Sequence, residues 1–329
     1  MTQRTGICTP LYQLRSTGAA GIGDFGDIAA LVDVACTLGL GKVVLQSVVD
    51  SSFDGGGQPL YPVYIDLRQL PQVSVHAKLD KYYSEAAALD RLETIDCQKV
   101  YNVKMHILRE RFRWEGAELL GSEAYHTFWR ENRPWIERYS VYCALRHNYG
   151  TGNSRHVIEG DYESMLADAH FINEYSDDIK FHLYVQFLLH TQLQRAASYA
   201  SERGISLVVS NETPRNVFFR QWWSSLDERQ RQQIYGGQLG LTGPAPASPE
   251  PWVAEAYIRN MLNDSQSEVI LPIEDWLATT SLLPCDAAGD SDKSRDEAVY
   301  YRMNITLGSI LSHTALLECL RLMIADSAK

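Results

Sequence analysis

Four acids stand where an α/β chain gathers its chemistry. Asp50 ends the apolar run 42–49, Glu212 follows 205–209, and Glu274 with Asp275 follows 269–273. Each run is short, apolar and bounded by turn formers, the pattern of a buried strand. Carboxyl groups at the carboxyl ends of parallel strands can converge on one site and serve as acid, base or nucleophile. Asp50, Glu212 and Glu274 are therefore the candidate catalytic residues. Asp24, Asp54, Arg215 and Asp275 are candidates for lining the same cleft. The bland alternative for Glu212 is a surface ion pair with Arg215.

The elements that must position these groups can be read in order. Residues 7–12 form a first strand, followed by the glycine-rich loop Gly21-Ile22-Gly23-Asp24-Phe25-Gly26-Asp27. A helix then buries Ile28, Leu31, Val32, Val34, Ala35 and Leu38, with Asp27 placed to cap it and Gly39 and Gly41 to end it. The strand 42–49 completes a βαβ unit, which implies parallel pairing. GIGDFGD lacks dinucleotide spacing and carries two acids where a pyrophosphate would lie, so no cofactor is expected there.

Past a flexible loop at 51–57, residues 61–67 return toward extended structure. Residues 80–176 are predicted to be helical. Their aromatics (Trp114, Phe128, Trp129, Trp135, Tyr139, Tyr142, Tyr149) read as core at helical spacing rather than as a sugar platform. A long helix covers 177–203, and its His182 and His190 lack metal-pair spacing; they read as helix surface or satisfied core groups.

The stretch ISLVVSNETPRNVFFRQWW, 205–223, gives strand, polar tip and helix, with Pro214 suited to a helix's first turn. A charged helix (224–235), a proline-rich spacer (244–251), a helix (252–263), a strand (269–273), a mobile acidic loop (285–297) and a last helix (306–326) follow. The expected organisation is 1–79, 80–176 and 177–329.

The 329 residues suffice for a substantial core, and 45% hydrophobic with 22% charged residues is ordinary for a soluble protein. A net charge of −11 argues against nucleic-acid and anionic-membrane partners. Six scattered cysteines form no metal spacing and read as buried free thiols, so no metal is expected. With no signal peptide and no run near the roughly 18 apolar residues of a membrane span, the expected location is the cytoplasm.

The order of pieces resembles the 4-α-glucanotransferases of glycoside hydrolase family 77. GICTPLYQLRS and GIGDFGDIAALVDVACTLGLGKVVLQ are similar to the family's opening. WIERYSVYCALRHNYGT resembles the end of its helical insertion, and FHLYVQFLLHTQLQRAASYASERGISLV the helix before its third strand. RQWWSSLDERQRQQIYG, VILPIEDWL and YYRMNITLGSIL resemble its later segments. The resemblance implies an α/β fold: a partial (β/α) TIM-barrel-like sheet of about four parallel strands with a large helical insertion.

The resemblance also implies a loss. Between Val209 and Arg220 the family carries strands four to seven, an Arg-x-Asp nucleophile and a Glu acid/base, and none has a counterpart here. Thr213-Pro214-Arg215 stands where the family has Thr-His-Asp, which puts an arginine in an acid's place. The donor-sugar loop is shortened to FDGGGQPLYP. A retaining transglycosylase needs two carboxylates about 5–5.5 Å apart.

The expectation is therefore a truncated, non-catalytic relative with a binding, assembly or regulatory role in α-glucan metabolism. Malto-oligosaccharides would bind weakly. The alternatives are a transferase or hydrolase with a rebuilt carboxylate site, and a protein-interaction module without a glucan role. Four strands leave two open edges and an uncovered apolar face, which favours a homodimer or another protein partner, or else the helical region as cover.

Overall fold

Short apolar runs separated by helices have one economical arrangement, a parallel sheet with helices packed against it. The computed structural model describes residues 5–71, 77–158, 162–210, 218–263, 268–280, 282 and 302–327. Strands β1 (Thr5–Pro10), β2 (Lys42–Gln46), β3 (Ser206–Ser210) and β4 (Val269–Pro272) form one sheet, all parallel, in the order β3-β2-β1-β4. Between β1 and β2 lies α1 (Asp27–Leu38). Between β2 and β3 lie α2 (Ala77–Asp90), α3 (Cys97–Leu120), α4 (Glu123–Ile158), α5 (Tyr162–Ala167), α6 (Ala169–Glu174) and α7 (Ser176–Glu202). Then come α8 (Phe219–Ser225), α9 (Glu228–Gln233) and α10 (Pro251–Asn263), with α11 (Ile273–Ala278), α12 (Leu307–Ser312) and α13 (Thr314–Ser327) after β4. The expected α/β sheet with a large helical insertion is present.

Strand register divides the sheet into two unlike faces. Leu207, Val43, Ile7 and Leu271 stand in one row across all four strands and join the main core with α1, α3, α7 and α13. The opposite row is Val208, Val44, Cys8 and Pro272. Val208 is 37% exposed and the other three are half-buried. This is the apolar face a closed barrel would turn inward. Among the described residues, β3 and β4 each pair on one side only.

Several boundaries differ from expectation for local reasons. Residues 61–67 are not extended but include a 3-10 turn at Pro62–Tyr64, followed by another at Leu67–Gln69. Pro62 fixes its own φ and donates no N–H, and the Asp66 carboxylate accepts the Arg68 N–H, so turns win over a ladder. The helix expected over 224–235 is divided, because Asp227 and Gln230 form a capping box that starts α9 anew. The final helix breaks at His313 between α12 and α13. The aromatics of the helical region are mainly core, with Tyr139 and Tyr142 buried, but Trp114 is 63% exposed. Cys8, Cys36, Cys97 and Cys143 form no disulfide and are half-buried, and Cys319 is exposed rather than buried. The acidic stretch 285–297 lies outside the described residues.

Candidate functional site

The carboxyl ends of β1, β2 and β3 open onto a cleft of about 820 Å3, lined among others by Tyr12, Ser47, Asp50, Asp54, Arg146 and Ser210. Ser47, directly after β2, is held at φ 59°, the one non-glycine residue with positive φ among those described. Strain of this kind collects where surrounding structure fixes a functional geometry. The cleft lies at the strand tips.

Asp50 is present in this cleft but is not a free carboxylate. It is buried and accepts the Ser52 N–H at 3.1 Å, the Ser52 hydroxyl, and the Tyr139 hydroxyl at 2.8 Å. Burial and the neighbouring Asp50 charge push the Tyr139 phenol well above its ordinary value, so it remains a donor. Arg146 donates to the Ser52 hydroxyl at 3.0 Å, and Tyr142 donates to the Ser52 carbonyl. Tyr139, Tyr142 and Arg146 share one face of α4 through i, i+3 and i+7 spacing, and that face grips the loop after β2.

The loop is fitted to this grip. Gly57 has φ 77°, and a Cβ there would come within 2.2 Å of the Trp135 ring. Phe53 packs edge-on to Tyr139 with ring centroids 5.3 Å apart. Two glutamines of α7 hold the returning chain. Gln186 exchanges hydrogen bonds with the backbone of Leu60, and Gln192 does the same with Asp66.

The glycine-rich loop has a different job from the cleft-lining one expected of Asp24. Asp24 is 1% exposed and accepts the Arg68 Nη2 at 2.8 Å and the Gly26 N–H at 3.0 Å. Arg68 also donates from Nε to Asp66 at 2.7 Å and lies 3.3 Å from Asp27. Lys104 of α3, fully buried, donates to the carbonyls of Val63 and Ile65 and stands 3.9 Å from Asp24. Burial pushes the Asp24 carboxyl up and the Lys104 ammonium down. A Cβ on Gly26 would meet Asp66 Oδ2 at 2.0 Å, so glycine is required by the close approach. Asp27 does not cap α1 from outside. It is the helix's first residue, and its carboxylate accepts the Asp24 N–H and the Ser16 hydroxyl. This is a buried ionic joint between the loop and the helical region.

Glu274 and Asp275 occupy the first turn of α11, both buried, and neither lines the cleft. Asp275 accepts the Phe219 N–H at 2.8 Å and so fixes the start of α8. Burial raises its carboxyl to about 6, against the lowering effect of that hydrogen bond. No other residue donates a hydrogen bond to either Glu274 oxygen, and burial, opposed by the residue's own N–H and helped by the Asp275 charge, raises this group to about 8. β1 separates β2 from β4, so the two strands that end near Asp50 and Glu274 lie roughly 10 Å apart in the sheet. Glu212 and Arg215 lie outside the described residues. The structure thus brings Asp50 and Asp54 to one cleft and leaves Asp24, Glu274 and Asp275 out of it.

Residues that sequence reading missed are Ser47, Arg146, Gln186 and Gln192. Only Arg146 had a usable signal, its helical spacing from Tyr139 and Tyr142. Among the described residues, no group of three His, Cys, Asp or Glu side chains is arranged to hold a metal, and no helix is long and apolar enough to cross a membrane.

The family model described as 4-alpha-glucanotransferase matches residues 9–217, from β1 past β3; β4 lies beyond it. The chain is 28% identical over 218 residues to 4-alpha-glucanotransferase DPE2 of Oryza sativa subsp. japonica, covering 61% of this chain and 23% of that protein. It is 23% identical over 239 residues to the 4-alpha-glucanotransferase of Chlamydia muridarum, covering 67% and 44%. Among solved structures, amylomaltase from Corynebacterium glutamicum is similar over 79% of this chain and 39% of its own, with 19% identity and a TM-score of 0.47. Amylomaltase from Streptococcus agalactiae in complex with acarbose is similar over 63% and 43%, with 17% identity and a TM-score of 0.46. The chain spans less than half the length of these relatives. With the family's sequence pattern running through β1, β2, β3 and the helices between them, this chain belongs to glycoside hydrolase family 77, the 4-alpha-glucanotransferases.

Proposed function

We propose that the chain is a non-catalytic member of its family with a binding, assembly or regulatory role in α-glucan metabolism. The observation that carries this reading is the state of Asp50. The buried carboxylate of the cleft is engaged by Ser52 and Tyr139, and the other acids predicted at a described strand end, Glu274 and Asp275, are buried away from the cleft. General acid–base and nucleophilic groups each contribute orders of magnitude, and a locked carboxylate supplies neither role. The purified chain should release no glucose from maltotriose above a protein-free blank. Release that is abolished by Glu212→Gln or Asp50→Asn would overturn the proposal.

The cleft's tyrosines and hydroxyls suit a neutral polar ligand, to which the loop 53–57 offers Phe53, Asp54 and two glycines. Maltoheptaose should bind more weakly than micromolar by calorimetric titration. A rebuilt carboxylate site is the second reading, and the observation in its favour is that Asp50 and Asp54 line one cleft. Asp54 is exposed, so Asp54→Asn tests that reading without disturbing the fold.

The same proposal includes assembly as a homodimer in the cytoplasm, with the chain organised as 1–79, 80–176 and 177–329. The half-exposed row Val208, Val44, Cys8 and Pro272 favours a second copy as cover. Light scattering at micromolar concentration should report twice the chain mass, and Val208→Asp should return the monomer. A concentration-independent monomer would rule the dimer out.

A further inference from the structure

We propose that a second cavity, lined mainly by α3 and α4 with His182 of α7, binds a small organic molecule carrying a phosphate group. The cavity measures about 490 Å3 and shares Asp50, Tyr61 and Arg146 with the lining of the cleft. Its lining carries Arg109, Arg146, His106, His147 and His182 against a single acid, Asp50. In a chain with 41 acidic and 30 basic residues, that balance runs against the overall composition. Asp50's carboxylate is already engaged by Ser52 and Tyr139, as described above.

The two guanidiniums are held in place. Arg109 stacks over the Phe181 ring at 3.8 Å and meets Asp178 through Nη1. Arg146 is tied to Ser52, also through Nη1. Each guanidinium has five donors, and its fork matches phosphate oxygens. Deep in the lining, His182 is buried and its Nε2 has no hydrogen-bond partner. Burial dominates in lowering this imidazole to about 3; Arg109, His147 and Arg146 add to the effect and Asp178 opposes it, so the ring stays neutral.

The remaining walls suit an organic body. Tyr61 and Tyr101 stack with centroids 6.1 Å apart, and Gln98 and Asn102 place amides at the rim. The volume exceeds what inorganic phosphate needs and falls within the ~300–1,000 Å3 range of small-molecule pockets.

Calorimetric titration of the full chain with glucose 6-phosphate, inorganic phosphate and glucose tests the site. Glucose 6-phosphate should bind, inorganic phosphate should compete with it more weakly, and glucose should not compete. Arg109→Gln should weaken glucose 6-phosphate at least tenfold. His147→Glu, on an exposed position that leaves folding intact, should weaken it about fivefold or more through charge. Maltoheptaose titrations of both variants should match the parent, which separates this site from the cleft and its reading. Absent binding of glucose 6-phosphate, equal binding of glucose, or unchanged affinity in both variants would overturn the proposal.

Discussion

Asp24 and Glu274 are nearly equally withdrawn from water, at 1% and 5% exposure, the first in the loop before α1 and the second in the first turn of α11. Their surroundings are opposite. Around Asp24 the chain gathers Arg68, Lys104 and the Gly26 N–H, so that each buried charge faces a partner. Around Glu274 it gathers apolar neighbours and a second acid, and no other residue donates to either carboxylate oxygen. Asp50 lies between these extremes, buried and bonded to neutral hydroxyls and an amide. The difference teaches that burial alone does not make an acid functional. A buried acid with fitted partners serves as a joint, whereas one without them is left to hold its proton.

The largest expected effect breaks the paired side. Arg68→Ala removes the cation shared by Asp24, Asp27 and Asp66 and leaves their buried carboxylates facing one another. Denaturant unfolding should show a loss of about 3 kcal/mol, the low end of the cost of breaking a buried ion pair from one side, because the Arg68 side chain is itself 36% exposed and partly screened by solvent. A loss below about 1 kcal/mol would mean the cluster is not a joint.

Glu274→Gln should act in the opposite direction. The folded group binds its proton up to about 8, while the unfolded carboxyl releases it near its ordinary 4.5. Over that window the unfolded state holds fewer protons, so stability falls as pH rises and levels off above the folded value. Gln mimics the protonated acid and removes this loss. The variant should match the parent near pH 4 and exceed it by about 2–3 kcal/mol at pH 7. Asp275, raised to about 6, keeps a smaller slope of the same sign at lower pH in both proteins. A parent profile that is flat between pH 5 and 8 would contradict the contrast.

The smallest effect belongs to the intermediate site. Tyr139→Phe withdraws one neutral donor from Asp50 and should cost about 1–2 kcal/mol in thermal or denaturant unfolding. It should leave the maltotriose blank unchanged, since the Ser52 bonds still hold the carboxylate. Glucose release by this variant would show that Tyr139 was masking a competent acid.

The sequence by itself determined the elements. Short apolar runs bounded by turn formers placed all four strands to within a few residues, and the 3.6-residue period placed α1, α7 and α10. Gly39, at φ 73°, ends α1 as its position after Leu38 required. These features are local, because backbone sterics and side-chain periodicity act over a few residues. Pairing is not local. That Asp24 meets Arg68 and Lys104, that Asp50 meets Tyr139, and that Glu274 meets no donor depends on contacts between positions far apart in the chain. Asp50 and Glu274 looked alike in the sequence, as polar residues at the end of apolar runs, and Asp24 stood in a glycine-rich loop with nothing to mark its partners. Only the tertiary structure decided which of them became a joint, which a locked cleft residue and which an isolated proton store, because the free energy of a buried charge is set by the partners that packing brings to it.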